Sequence, residues 1–485
     1  MLRIATPLER RLIPQASPCR VAIIGGGYTG ATIARLLAIG GHCEEHDIVV
    51  FEPRGKLGSG LAYDTNDSAL RLNVSAARMR AIPDEPDAFL RWLHDSGTLA
   101  ADPDATAADG AIYARRSDFA RFMAERMQPV IEGGLVRHVR ERVETVVRSG
   151  SGWRVTGDGG TRVMADVVII ATSHPKPKAP GPIAYALNGH PRFISDPSQP
   201  NALDAIRDQD RVFVIGAGLT ALDIITSLRH RGHEGKIVAF SRSGLMPQEQ
   251  AAGTLGPHGD FVSKPCHTAL ALLRQVRRAL AEAQSRGLPW QSVFDALRQQ
   301  GQTIWQNLPP VEQKRFLRHL RRRYETHRYR MPPQVATIVD QGLRDGRVLM
   351  RPGRICRVER SAKTVSVDLI VKTEGVVERH DFEWVVVATG PDHASVVTRQ
   401  PYLAELERSG CIQRDKHGLG IACDGDSRAI GLDGHPIETL LIAGPLARGT
   451  FGELTGVPEI AAQAEQLVAG ISARLLQGLP RRRHA

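Results

Sequence analysis

The residues best placed to do chemistry are three glycines followed at a distance by an acid. Gly25, Gly27 and Gly30 stand in the run Gly25-Gly26-Gly27-Tyr28-Thr29-Gly30, and Glu52 comes 22 residues after the last of them. In the pattern Gly-x-Gly-x-x-Gly the first glycine permits a tight turn. The second lets backbone approach a pyrophosphate, and the third lets the following helix pack closely on the strand. The anion then meets backbone N–H groups at the positive end of the helix. A carboxylate about 20 residues further on accepts hydrogen bonds from ribose hydroxyls. The cluster Gly25, Gly27, Tyr28, Thr29, Gly30, Glu52 and Pro53 therefore reads as one dinucleotide site.

A second such run is Gly216-Ala217-Gly218-Leu219-Thr220-Ala221, with Gly216, Gly218, Leu219 and Thr220 as its contacts. Here the next strand ends in Ser241-Arg242, with no acid. An arginine attracts the 2′-phosphate that an acid would repel, so NADP is expected at this site, with NAD as the alternative. No metal site is expected: Cys19, Cys43, Cys266, Cys356, Cys411 and Cys423 are scattered, with no Cys-x-x-Cys and no zinc spacing. The same scatter argues against dithiol redox chemistry.

The elements around these turns are the ones the mechanism needs. Apolar strands are expected at 20–24, 47–51, 211–215 and 236–240, and helices after each glycine turn. Residues 166–172 and 383–390 form two similar strands leading into turns at Ala171-Thr172, where Ser173 replaces a glycine, and at Thr389-Gly390. A late strand at 440–442 runs into Gly444-Pro445 and Phe451, ahead of a helix beginning near Pro458. Residues 264–345 are polar and helical, interrupted at Gly287-Leu288-Pro289 and Leu308-Pro309-Pro310. The expected fold is α/β: two Rossmann-like dinucleotide-binding domains, the fold of a two-dinucleotide-binding flavoprotein, with a helical insertion. Its divisions are 18–200 for the first part of an FAD domain, 205–380 for the NAD(P) domain carrying the insertion at 264–345, and 381–475 for the returning part of the FAD domain.

FAD is expected at the first site because a glycine-rich stretch, Gly55 to Gly60, follows Glu52. Four further stretches carry a resemblance. Gly58-Ser59-Gly60-Leu61-Ala62-Tyr63 precedes Leu72-Asn73, Ser241-Arg242 precedes Gly244-Leu245-Met246-Pro247, and Tyr324 leads into His327-Arg328-Tyr329-Arg330. The fourth is the closing Gly444-Pro445-Leu446-Ala447-Arg448-Gly449. With these the chain resembles a bacterial FAD/NAD(P)-binding protein family related to flavin-dependent N-hydroxylating monooxygenases, from about Arg20 to Leu467. The resemblance implies that Gly58, Gly60 and Asn73 lie beside the flavin, with Asn73 as a hydrogen-bond donor to it. It also implies that the two exit turns cross between domains, and that Gly444, Pro445 and Phe451 return to the flavin. His327 and Arg328, with Arg330, are candidates to hold a substrate carboxylate or the nicotinamide phosphates; a solvated basic helix end is the alternative.

The function expected is an FAD-dependent oxidoreductase reduced by NAD(P)H. Its leading form is a monooxygenase that passes oxygen from a C4a-hydroperoxyflavin to a small polar metabolite, an amine or amino acid first, with dioxygen as co-substrate. The alternatives are a reductase or dehydrogenase serving another acceptor, and a non-catalytic flavin-binding module. The latter has no use for a second nucleotide site. The formal charge of +11 gathers in Lys314–Arg330 and the tail Arg481-Arg482-Arg483, and no nucleic-acid-binding signature accompanies it, so nucleic acid is not an expected partner. No apolar leader or membrane span is recognisable, so a cytoplasmic enzyme is expected; the oligomeric state stays open.

Overall fold

The computed structural model describes residues 17–41, 44–172, 176–253, 256–372 and 375–473. Ser173, Cys43 and the Arg481–Arg483 tail lie outside these residues, and so does the first stretch of the chain.

The first sheet begins with β1 (Ser17–Ile24), β2 (Ile48–Phe51) and β3 (Val136–Val139), continues with β4 (Val143–Ser149) and β5 (Gly152–Gly157), and reaches β6 (Arg162–Ile170). The chain then builds a second sheet from β7 (Phe193–Ile194), β8 (Val212–Ile215), β9 (Ile237–Ser241), β10 (Val348–Arg360), β11 (Val365–Val371), β12 (Val377–Phe382) and β13 (Trp384–Val387). It returns to the first with β14 (Arg428–Ile430) and β15 (Pro436–Ile442). The orders are β14-β15-β6-β1-β2-β3, with the β4–β5 hairpin attached through β5 to β6, and β12-β11-β10-β9-β8-β13-β7. Five strands in each sheet run parallel.

The unbroken Val/Ile runs explain this arrangement. Side chains alternate across a strand, so both faces of β1 are apolar and both must be covered, as parallel sheets require. Ala22 and Ile24 enter one core with Phe51, Val168 and Ile170. Val21 and Ile23 enter the other with Val50, Ile169 and Leu441, beneath α1 (Tyr28–Ile39). In the second sheet Val212 and Val214 face α2 (Leu219–His230) and the helix Pro333–Arg344. Phe213 and Ile215 face the helix Gly181–Leu187 and the antiparallel β10–β12 meander.

The sheets change hands earlier and later than the sequence suggests. The helix Gly181–Leu187 and β7 belong to the second sheet, not to the 18–200 unit, because Ile183 and Leu187 pack on Phe213 and Phe193 pairs with Val385. β13, expected in the 381–475 unit, lies between β8 and β7. The helix Pro333–Arg344 is the crossover between β9 and β10: its Val335, Ala336 and Val339 are part of the sheet's core. What remains of the insertion has its own core of Phe261, Leu272, Val293, Phe294, Leu297 and Leu308. The two linkers between the sheets run side by side, joined by a bridge between Pro177 and Pro391 and by the Thr389 hydroxyl donating to the Lys178 carbonyl (2.9 Å).

Candidate cofactor clefts

Between β1 and α1 the backbone leaves no room for side chains. Gly25 has φ +101°, and a Cβ there would lie 2.6 Å from the Ala171 carbonyl oxygen at the end of β6. A Cβ on Gly30 would lie 1.9 Å from the Gly25 oxygen. Gly27 caps α1 with no side-chain hydrogen bond, so the first-turn N–H groups have no capping side chain and face outward for an anion. The turn is braced by Gly58, whose N–H donates to the Gly26 oxygen (2.8 Å), and by Gly60, where a Cβ would come within 2.9 Å of the Gly27 Cα. The glycines after Glu52 are therefore needed first to let two stretches of backbone touch.

Glu52 is only 4% exposed, not a solvated strand end. Its Oε2 accepts the Gly26 N–H (3.0 Å), and its Oε1 accepts the Arg54 N–H (3.1 Å) and Arg54 Nη1 (3.0 Å). A carboxylate offers about four acceptor positions. Three are taken, and the one left on Oε2 suits a ribose hydroxyl. Pro53 beside it is exposed. Tyr28 offers backbone alone: its ring packs against Phe119 and its hydroxyl donates to the Ala81 carbonyl (2.8 Å). Burial raises that phenol far above its ordinary value.

The returning strand meets the same turn. Gly444 lies so close to Thr29 that a Cβ would be 2.6 Å from the Thr29 hydroxyl oxygen, and its N–H donates to Gln463 Oε1 (2.7 Å). Gln463 belongs to α5 (Val457–Ile471), whose first turn also carries Glu459. Pro445 opens the short turn beyond, but Phe451 is 1% exposed inside the core under β15 and does not line the cleft. The four-residue helix Arg448–Phe451 swings its ring inward. Thr172 is engaged through its hydroxyl with Tyr402 (3.0 Å). Asn73 is half-buried; its carbonyl accepts Gln250 Nε2 (2.7 Å) from the other domain, while its side-chain amide has no partner among the described residues. Gln250 carried no signal in the sequence, since its meaning comes only from that contact.

The second cleft repeats the first with more open space. Gly216 has φ +144°, and a Cβ there would lie 2.1 Å from the Ala388 oxygen. Gly218 caps α2 and nothing stands within 4 Å of where its Cβ would be. Leu219 is half-buried and Thr220 exposed at the helix start. The Ser241 hydroxyl accepts the Gly244 N–H (2.9 Å), closing a turn, and Arg242 is exposed with no ion pair among the described residues. Gly390, after Thr389, turns the chain at φ +79°.

His327 and Arg328 do not reach either cleft. They lie on α4 (Arg321–Arg328), which packs on α3 (Trp290–Gln299) of the insertion. Arg328 is buried in an ion pair with Glu453 and stands 3.7 Å from Glu459. Burial opposes its charge, but Glu453, Tyr324 and Glu459 outweigh that and hold the guanidinium more firmly protonated than usual. Tyr324 donates to Glu453 Oε2 (2.9 Å), and Arg298 donates to Glu459 Oε2 (3.0 Å). Arg330 pairs with Asp295, which also receives Arg78 Nη1 (2.9 Å). The His327 ring stacks on Phe294 with centroids 4.8 Å apart and stands edge-on to Trp290 at 5.0 Å. The charges of Arg328 and Arg330 are met by carboxylates of the chain itself, and Arg328 fastens the insertion to the start of α5. The sequence hid this because the matching acids come more than a hundred residues later.

Among the described residues no cluster could hold a metal, and Cys266, Cys356, Cys411 and Cys423 are free thiols. Burial pushes the Cys423 thiol up to about 12. No helix among the described residues is long and apolar enough to cross a membrane.

Residues 22–175 match a family model described as FAD-NAD(P)-binding. No curated protein matches the sequence. Solved structures share the fold along nearly the whole chain. An ornithine hydroxylase from Pseudomonas aeruginosa has TM-score 0.63 at 14% identity, covering 94% of this chain and 100% of its own. An L-lysine 6-monooxygenase from Pseudomonas syringae has TM-score 0.62 at 15% identity, with the same coverage. A bacillithiol disulfide reductase from Bacillus cereus follows at TM-score 0.52 and 15% identity, covering 94% of this chain and 100% of its own. The two-dinucleotide-binding flavoprotein fold is thus common to all three and to this chain.

Proposed function

We propose that the chain, a flavoprotein by its fold and its first nucleotide domain, is an FAD-dependent monooxygenase that is reduced by NADPH and oxygenates the nitrogen of a small amine or amino acid. One observation carries the reading: two separate dinucleotide cradles, each ending in a glycine-capped helix start, within a chain whose length follows hydroxylases named for ornithine and lysine. The first cradle fits FAD, since a Cβ at Gly25, Gly30 or Gly60 would collide with backbone and Glu52 keeps one acceptor position open. Held there, the flavin would supply hydride acceptance from a nicotinamide and activation of dioxygen.

The chain's own residues do the holding and shielding. The N–H groups at the start of α1 meet the pyrophosphate, and Glu52 accepts the adenosine ribose hydroxyls. The Asn73 amide donates to the flavin edge; its backbone is steadied by Gln250, so the second domain helps aim it. Gly216 and Gly218 would admit the nicotinamide dinucleotide at the start of α2, and Arg242, exposed just past the next strand, would take its 2′-phosphate. The insertion, clamped on α5 through Arg328, Glu453, Arg298 and Glu459, keeps water from that side. A dithiol relay is disfavoured, because the buried Cys423 is held protonated and has no sulfur partner among the described residues. A cytoplasmic setting goes with this reading.

The test uses the FAD-loaded protein with NADPH under argon, followed by air and L-ornithine, L-lysine or cadaverine. Bleaching of the flavin, with oxygen uptake matched by hydroxylamine product, is the expected result. Bleaching with all oxygen recovered as hydrogen peroxide from a broad amine panel would leave a reductase. A flavin bleached by neither NADPH nor NADH would leave a flavin-binding module.

A further inference from the structure

The basic run Lys314–Arg330 is only partly explained by the ion pairs on α5, and one member of it contacts the loop that follows β9. From the end of β9 the chain turns tightly through Ser241 to Gly244 and returns toward α4. There the Gln248 N–H donates to the Thr326 carbonyl (3.0 Å) and Arg322 Nη2 donates to the Leu245 carbonyl (2.5 Å). Arg322 is thus fixed against the loop that begins with Arg242. Neither guanidinium has a carboxylate among the described residues. The nearest candidate, Glu325, is taken by Arg321 Nε (2.7 Å). Partial burial holds the Arg322 guanidinium below its ordinary value; Glu325 opposes this, and the charge of Arg242 adds a smaller push in the same direction as burial. Arg322, on the helix packed against this loop, and Arg242, at the loop's start, are like charges that repel one another. An anion between them removes the repulsion, and a phosphate matches the planar forks of both.

We infer that Arg322, reaching across from the helical insertion, completes with Arg242 a two-arginine site for the 2′-phosphate of NADPH, so that the insertion helps set the choice of nicotinamide cofactor. The inference rests on the reading of the second cleft as a nicotinamide dinucleotide site. It gives the insertion a role beyond covering the flavin domain: nucleotide arrival neutralises the face that α4 presents to the loop. The Ser241 hydroxyl, spent on its own turn, contributes little, which leaves discrimination to the two arginines.

The test is titration calorimetry of the FAD-loaded full chain with adenosine 2′,5′-bisphosphate and with AMP, which differ only in the 2′-phosphate. The wild type is expected to prefer the bisphosphate by about tenfold or more. Arg322→Ala is expected to bring that preference close to unity with the AMP affinity unchanged, which also shows that the cleft is intact. Arg322→Lys, keeping the charge but not the fork, is expected to retain part of it. A preference that survives Arg322→Ala and is lost in Arg242→Ala overturns the inference in favour of a single-arginine site. Equal binding of both nucleotides by the wild type overturns it too, while leaving the second cleft a dinucleotide site. Binding of neither removes the reading of that cleft, and the inference with it.

Discussion

Gly30 and Gly218 occupy corresponding stretches of the two turns, yet they carry different obligations. A methyl on Gly30 would lie 1.9 Å from the Gly25 oxygen, so Gly30→Ala must push the turn apart, at a cost of about 3 kcal/mol, and lose FAD. Gly218 has open space around its Cβ direction. Gly218→Ala is therefore expected to melt like the wild type and keep its flavin, while NADPH reduces that flavin at least about tenfold more weakly, because the methyl meets the pyrophosphate and not the protein. Stopped-flow reduction under argon separates the two cases; unchanged reduction by Gly218→Ala would deny the cleft its cofactor. Glu52→Gln keeps an acceptor for the Gly26 N–H but loses the Arg54 ion pair and the charged acceptor for ribose. Its affinity for FAD, read by titrating flavin-stripped protein, is expected to fall about tenfold to a hundredfold. The histidines set a pH dependence. Burial lowers both His233 and His417 below 6.5, so each is neutral in the fold. Their contribution is present above that value and lost as pH falls through the depressed folded one. Melting temperature should drop between pH 7.5 and 5.5, with a slope of up to about 1.4 kcal/mol per pH unit for each ring. The His233→Gln curve should be flatter, and a parallel curve would count against this assignment.

A set of buried charges holds the insertion to the flavin domain. Arg328, Arg298, Glu453 and Glu459 are buried or nearly so where α4 and α3 meet the first turn of α5. Trp305 adds its indole N–H to the Gly449 carbonyl (2.9 Å), and its ring lies over Gly452 where a Cβ would be 2.7 Å away. Removing one member of a buried pair leaves the other without its counter-charge. Arg328→Met is accordingly expected to cost about 3–5 kcal/mol in urea unfolding, and adding Glu453→Gln should cost little more or recover part of the loss. Additive losses would mean that the two side chains do not act as a pair. A helix that reads as a basic surface stripe is in this way a docking element, with Arg322 donating to the Leu245 carbonyl of the loop after β9.

At the scale of the molecule, the first sheet cannot be built from the first half of the chain. β15 pairs with β6 from Leu440↔Val168 to Ile442↔Ile170, and Ala464, Leu467, Val468 and Ile471 of α5 share the core beneath α1. A chain ending at Gly390 would leave β6 as an exposed apolar edge and open that core. It is expected to be insoluble or free of flavin, and a soluble yellow fragment would show that the return is dispensable. The paired linkers at Pro177 and Pro391 bring the second sheet in and out at one place. Both glycine turns abut them: Gly25 on Ala171, Gly216 on Ala388. The two nucleotide clefts are thus tied to the same crossing of the chain.

The two cradles were legible because all their parts are local. A β-strand period, a glycine spacing and an acid or arginine at the next strand end lie within about 30 residues, and backbone geometry alone sets what they can bind. The parallel sheets were legible too, since Val/Ile runs such as Val212–Ile215 must be buried on both faces. Side-chain direction was not. Tyr28 and Phe451 turn into cores, and Glu52 spends three acceptor positions on its own chain. His327 stacks within the insertion and Arg328 pairs with Glu453, and the domain limits moved to where Ile183, Phe193 and Trp384 find apolar partners. Local spacing fixes which atoms a turn can offer to a dinucleotide. Only the packing of distant segments decides which charges are satisfied from within, as at Arg328, and which, like Arg242 and Arg322, have no ion pair among the described residues.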